Sequence, residues 1–398
     1  MQHGWGRWLL GLALSALVAG CASAPPAAPV VVERRADVAL AGRRGAEGVA
    51  EAALARRELE VPPERLRVVA GGDIIFGRYL RGGLRFAGGP DPFEHIRPWF
   101  READVAFLNL ETPVTDVEPK VIRRYFGFDL KFRAPSSSVA ALVAAGIDVV
   151  STANNHAEDI GEEGLADTLR HLGAAGIVAV GTSAEGDPLA PVVFERGGVR
   201  IGIIAATAKR NRGSPRPGER LSVAYLTMDQ MLAELPPRVR ALRESGRVDT
   251  VWVSLHWGSG GERPVGKRYQ AIAHAVVEAG ADLVLGHHAH ILQAVEAYGD
   301  GFIVYGMGNL IFDMRDLYGR ETALFDLEMG RGGDARWRVE RLVVRPFLIK
   351  DPSSPPAPVT GAEARHVLDP VRRLSRGTHG TAVEYEGDAL VWERAAAP

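Results

Sequence analysis

The chain has 398 residues, a formal net charge of −2, and 46% hydrophobic against 24% charged residues. That balance is ordinary for a globular protein, excludes extensive disorder and offers no basic excess for a nucleic-acid partner. The single cysteine, Cys21, excludes an intramolecular disulfide, so the fold must rest on its core or on metal.

Arg7 precedes an apolar run from Trp8 to Gly20. This is too short to span a bilayer comfortably and has the length of a signal-peptide h-region. Val18-Ala19-Gly20-Cys21 follows and resembles a bacterial lipobox, whose cysteine is acylated and becomes the mature N-terminus. An ordinary signal peptide with an incidental cysteine is the plainer alternative. Residues 1–21 are therefore expected to be a lipoprotein signal peptide, with Cys21 as the lipidation site. Two or three acyl chains suffice for stable anchoring. The protein is expected to be exported and anchored in the cell envelope on the periplasmic face. Ala22 after the cysteine, rather than Asp, favours the outer membrane by resemblance to Gram-negative lipoproteins. Residues 22–63, rich in Ala, Pro, Arg and Glu, read as a flexible tether, with Ala46–Glu60 spaced for one amphipathic helix.

Regular structure is predicted from Leu66. Apolar strands are expected at Leu66–Ala70, Asp104–Asn109, Ile147–Ser151 and Ile177–Val180, with helices at Ala140–Ala145 and Gly164–Ala175. Val192–Ala206 reads as a hairpin turning at Gly197-Gly198. Further strands are expected at Val251–Leu255, Asp282–Leu285 and Phe302–Tyr305, with a helix over Tyr269–Ala279. Apolar runs alternating with helices mean strands covered on both faces, so the class is α/β. Lys209–Arg247 interrupts the alternation: a basic, turn-rich stretch, then a helix over Met228–Arg243 broken at Pro236-Pro237. The main domain is expected over 64–350. An extension at 351–398 would hold a helix at Thr360–Leu374 and a hairpin at Thr381–Trp392.

The informative pattern is where polar residues fall. Asp73, Asn109 with Glu111, Asn154-Asn155-His156 with Asp159, His256, His287-His288-Ala289-His290 and Asn309 each close or follow a predicted strand. Open α/β sheets bind ligands beyond the carboxyl ends of their strands. Asp, Glu, Asn and neutral His suit Zn, Mn or Fe, and no thiolate is offered. Each residue alone has a bland reading: Asp73 as a turn or helix cap, Asn155 as an N-cap, His256 as a packed core histidine beside Trp257. Three imidazoles within four residues have little structural purpose, and the ordered set is more specific than its parts.

That set resembles the metallophosphoesterase series, and most closely the CapA/PgsA family of poly-γ-glutamate capsule synthesis. The matching segments are Gly72-Asp73 with Gly77-Arg78, Asn109-Leu110-Glu111, Ala153-Asn154-Asn155-His156 with Asp159 and Gly161, His256-Trp257-Gly258, Gly286-His287-His288-Ala289-His290 and Tyr305-Gly306-Met307-Gly308-Asn309. The resemblance implies a four-layer α/β/β/α sandwich binding one or two divalent ions, Mn, Zn or Fe. It implies Asp73 on the first metal, Glu111 bridging, Asn155 and His256 on the second, and one ligand to each from His288 and His290. His287 replaces His288 if the register is off by one. His156 stands where a general acid would, with Asp159 to orient it. Arg78, Asn109, Asn154, His287 and Asn309 fall on the substrate side. Two departures stand out: Ile75 occupies the place of the histidine in Asp-x-His, and Gly260 stands where the family has a Glu, with Glu262 two places later.

Two functions are compatible with this pattern. One is a metal-dependent hydrolase acting on a phosphate ester or acidic polymer of the envelope, alongside other capsule-synthesis proteins. The other is a non-catalytic accessory that binds and guides an anionic polymer. Lys209, Arg210, Arg212 and Arg216 would line a polyanion path in the second case and form a solvated basic loop otherwise.

Overall fold

The computed structural model describes residues 30–31, 64–77, 91–118, 131–215, 218–314, 316–352 and 354–395. The signal peptide, most of the tether, Cys21, Arg78 and Arg216 lie outside them.

Two sheets face each other. The smaller contains β1 (Val30–Val31), β6 (Val192–Arg196), β7 (Val199–Thr207), β8 (Thr250–His256), β9 (Leu283–His287), β10 (Val295–Tyr298) and β11 (Gly301–Val304). Its order is β1-β6-β7-β8-β9-β11-β10, and the run β7 to β11 is parallel. The larger contains β2 (Arg65–Ile74), β3 (Val105–Leu110), β4 (Val149–Ser151), β5 (Val178–Val180), β12 (Asn309–Ile311), β13 (Glu321–Arg331), β14 (Trp337–Ile349), β15 (Pro356–Pro358), β16 (Glu384–Glu386) and β17 (Ala389–Glu393). Here β2 to β5 are parallel, while β13, β14 and β17 extend the sheet antiparallel on the other side.

Side chains that alternate along each strand make three apolar layers. Between the sheets, Val68, Phe107, Ile203, Trp252, Leu285 and Phe325 share one core. Outside the smaller sheet, helices Met228–Glu244 and Lys267–Glu278 bury Met231, Leu235, Val239, Ile272 and Val276. Outside the larger, helices Arg97–Glu102, Val139–Ala145 and Gly161–Ala174 cover Val69, Leu108 and Val150 with Phe100, Leu142 and Leu172. This is the four-layer α/β/β/α sandwich. Among the described residues no helix is long and apolar enough to cross a membrane.

Three details differ from the sequence expectation. Helix Met228–Glu244 runs unbroken through Pro236-Pro237. The prolines lie off the buried stripe formed by Met231, Leu235, Val239 and Leu242. Burying four such side chains contributes about 1.5–3 kcal/mol each, enough to offset a cost of roughly 3 kcal/mol per internal proline. The longest strands, β13 and β14, fill a stretch with no predicted element. Residues 361–379 form one helix whose Val367, Leu368 and Val371 enter the core between the sheets, and β17 pairs with β14. The C-terminal segment is therefore packed into the same core as the main domain.

Candidate metal centre

The carboxyl ends of β2, β3, β4, β8 and β9 meet where the two sheets approach. Two glycines let neighbouring backbone pass close to the ends of β2 and β9. A Cβ on Gly72 would stand 2.0 Å from the Gly308 carbonyl oxygen, and one on Gly286 2.0 Å from that of Tyr305. The backbone beyond β9 turns sharply, with His288 and His290 at φ 82° and 57°, a left-handed conformation that is costly outside glycine. This turn points successive imidazoles into one space.

Two groups of ligand-type atoms result, each gathered within 4.8 Å: Asp73, Glu111 and His290, and Glu111, His256 and His288. Glu111 belongs to both. It is fully buried, and neither carboxylate oxygen receives a hydrogen bond among the described residues. Oε1 lies 3.0 Å from His256 Nε2, which is itself 2.8 Å from Asn155 Oδ1. A sealed carboxylate without donors is strongly unfavourable unless a cation answers it. Two carboxylates, three imidazoles and an amide oxygen, without a thiolate, fit divalent Mn, Zn or Fe.

The other asparagines brace these ligands. Asn109 Nδ2 donates to Asp73 Oδ1 at 2.8 Å, and Asn154 Nδ2 to the Leu110 carbonyl at 2.8 Å. Asn309 Oδ1 lies 2.8 Å from His290 Nδ1, the same nitrogen that stands 3.3 Å from Asp73 Oδ2. His287 is sealed too; its Nδ1 is 3.2 Å from Asp73 Oδ1 and its ring stacks on Phe107. Asn109, Asn154, His287 and Asn309 are all at most 2% exposed, so their side chains back the site rather than face an opening.

Beside the second group stands His156. Its Nδ1 is 2.7 Å from Asp159 Oδ2, and its ring stacks on Phe132 at 3.9 Å between centroids. The Phe132 amide donates to the same carboxylate oxygen at 2.8 Å, and Lys131 Nζ to the Asp159 carbonyl at 2.7 Å. Asn211, which carries no sequence signal of its own, joins this side. Its Oδ1 accepts from Asn155 Nδ2 at 2.9 Å, and its Nδ2 lies 3.3 Å from His156 Nδ1. The turn-rich segment after β7 thus folds back onto the site. Arg210, at 7% side-chain exposure, pairs with Glu158 and Glu219 and is not a free cation. Ile75 is buried with Phe132 and Phe312 in an apolar cluster. Glu262 is exposed and belongs to neither ligand group.

The electrostatics follow the packing. Burial pushes Asp73 up, but His287 and His290 outweigh it and hold its carboxyl well below the usual range. Burial, then Asp73, raise Glu111. Burial lowers His256 well below its ordinary value, and burial above all takes His288 to about 2. Burial also disfavours charge on His290, yet Glu111 and Asp73 prevail and raise it to about 9.

Residues 67–314 match the family described as bacterial capsule synthesis protein PGA_cap. The chain is 30% identical over 316 residues to the capsule biosynthesis protein CapA of Bacillus anthracis, covering 79% of this chain and 74% of that one. It is 28% identical over 272 residues to the PGA biosynthesis protein CapA of Bacillus subtilis (strain 168), covering 67% and 69%. A solved phosphatase structure from Mycoplasma pneumoniae aligns at 12% identity and a TM-score of 0.44, covering 72% and 95%.

Proposed function

The chain belongs to the PGA_cap family of bacterial capsule synthesis proteins, and we propose that it is a metal-dependent hydrolase of the phosphoesterase type. Its substrate would be an anionic polymer or a phosphate-containing envelope molecule, handled during capsule or exopolymer synthesis or export together with other capsule-synthesis proteins. The observation that carries this reading is Glu111: one sealed carboxylate shared by two ligand groups, with no hydrogen bond to either oxygen among the described residues and only the His256 Nε2 at 3.0 Å.

In this reading Asp73, Glu111 and His290 hold one ion, and Glu111, Asn155, His256 and His288 a second. When bound, the metal supplies Lewis acidity and an activated water. Asp159 holds the Nδ1 proton of His156, so Nε2 is the edge from which a proton reaches the leaving oxygen. Phe132 keeps the ring in that plane. Asn211 Oδ1 accepts from Asn155 Nδ2 while its own amide nitrogen packs 3.3 Å from the His156 ring, so Asn211 sets the spacing of ligand and acid. The Trp8–Gly20 run and the lone Cys21 support acyl anchoring at the periplasmic face of the outer membrane.

A second reading, a polymer-binding accessory without turnover, is favoured by one observation. Ile75 leaves the first ligand group without the histidine of Asp-x-His and is spent in the core. Metal analysis of the purified protein, followed by phosphomonoester and phosphodiester turnover, separates the two. Metal-dependent turnover supports the hydrolase. Bound metal with no turnover of either class supports the accessory.

A further inference from the structure

Two asparagines stand in matching places, one in each half of the metal centre. In the second group His256 Nε2 faces two oxygens, Glu111 Oε1 at 3.0 Å and Asn155 Oδ1 at 2.8 Å. In the first group His290 Nδ1 also faces two, Asp73 Oδ2 at 3.3 Å and Asn309 Oδ1 at 2.8 Å. One ring N–H serves a single acceptor well. A cation among the three atoms answers all of them at once.

The strand pairing puts Asn309 there. It opens β12, is fully buried, and is the register partner of Asp73 on β2. Its amide cannot be turned round. Nδ2 donates to the Gly319 carbonyl at 2.8 Å and to the His290 carbonyl at 3.2 Å, so an oxygen in that place would face two oxygens. Oδ1 is therefore the atom held against His290 Nδ1. Asn109, the partner of Asp73 on β3, is turned the other way and gives its Nδ2 to Asp73 Oδ1 at 2.8 Å. It braces the carboxylate and offers that side no lone pair.

The first group also has a place to fill. A zinc site takes four ligands as a rule. Asn155 is the fourth residue of the second group, whereas the first holds only Asp73, Glu111 and His290. Ile75 contributes nothing, being buried with Phe132 and Phe312. His287 lies 3.2 Å from Asp73 Oδ1 but belongs to neither group.

We propose that Asn309 is a metal ligand, its Oδ1 completing the first group where the Asp-x-His histidine is missing. The inference rests on the metal centre of the hydrolase reading and extends its ligand list. Each ion then has one amide oxygen, one imidazole and Glu111 in common with the other.

The test is titration of the metal-free full-length protein with Mn2+, with the free ion counted by electron paramagnetic resonance. The wild type is expected to take up two ions. Asn309→Ala should weaken one of them about ten- to a hundredfold and leave the other unchanged. Asn309→Asp should return the weakened ion at least to wild-type affinity, because the carboxylate restores the oxygen but neither N–H. An Asp variant as weak as the Ala variant means that Asn309 acts only through Nδ2, which overturns the inference. So does an Ala variant that keeps both affinities or loses both equally, or a wild type that takes up one ion only. If Asn309→Asp fails to fold, saturating Co2+ decides. Losing a ligand oxygen should change the visible absorption of one ion in Asn309→Ala, and an unchanged spectrum overturns the inference. A wild type that binds neither Mn2+ nor Co2+ removes the hydrolase reading itself.

Discussion

Asp159 Oδ2 accepts from both the His156 ring and the Phe132 amide, at 2.7 and 2.8 Å, while the Phe132 ring lies flat on the His156 imidazole. One short segment therefore fixes the height, plane and tautomer of His156. His156→Ala is expected to slow turnover by about a hundred- to ten-thousandfold and to leave metal content unchanged. Asp159→Asn should cost about ten- to a hundredfold, the range for partners that orient a working side chain. Activity, melting temperature and metal content measured on the same preparations decide the matter. Loss of metal from His156→Ala would mean the histidine is a ligand.

The second prediction concerns the ligands. His288→Ala with His290→Ala removes one member from each group. The double variant should bind no metal tightly and should melt where the chelated wild type melts. Ligand saturation at about a hundred times Kd stabilises by about 2.7 kcal/mol, and that increment should be missing. If adding metal leaves the wild-type melting temperature where it was, the two-group site is not a metal centre.

Much of this convergence is legible in the sequence, because the metal-type side chains sit at strand ends and strand ends are marked by apolar runs. The metal-type side chains of five strands converge because parallel strands expose their carboxyl ends on one edge. What escapes is of two kinds. Asn211 lies in a loop with no periodicity, and only the tertiary fold brings it to Asn155 and His156. β13 and β14 do carry a signal: Trp337-Arg338-Val339-Glu340 alternates apolar and charged, but the irregularity at Glu328/Met329 shifts the register between the two strands. Pro236-Pro237 misleads in the other direction, since a local breaker is overridden by a buried stripe on the far face.

Asn211 supplies the third prediction. Asn211→Ala should lower kcat by about tenfold with little change in KM, because it holds groups that work on the bond rather than groups that bind the chain. Metal content should fall only slightly, since Asn155 keeps its contact with His256. The discriminating readout is the pH–rate profile. A shifted limb means the surroundings of His156 have changed. An unshifted profile with lower stability means Asn211 is only structural.

Anchoring is tested separately. Cys21→Ser should leave the precursor uncleaved or move the protein from the membrane fraction to the soluble one. Unchanged size and unchanged partition would remove the lipobox reading without touching the metal centre.

The last prediction follows from the uneven protonation of the ligands. His290 is raised to about 9 by Glu111 and Asp73 despite its burial, while His288 is lowered to about 2. Near neutral pH the metal-free protein therefore carries a proton at His290 and none at His288. A divalent ion must displace that proton, so apparent affinity should climb with pH, about tenfold per unit for one proton, and level off near 9. The sign for folding is opposite. His290 has a folded pKa above the unfolded value of about 6.5. Its contribution to metal-free stability is complete below about 6.5 and is lost as pH rises through about 9. The metal-bound and metal-free melting temperatures should therefore separate as pH rises across that window. Melting curves with and without Mn or Zn at stepped pH read the separation, and calorimetry in two buffers of different ionisation enthalpy counts the released proton. A separation that stays constant from 6.5 to 9, with no proton released, would remove His290 from the ligand set. Asp73 and Glu111 would then have to hold the first ion without an imidazole.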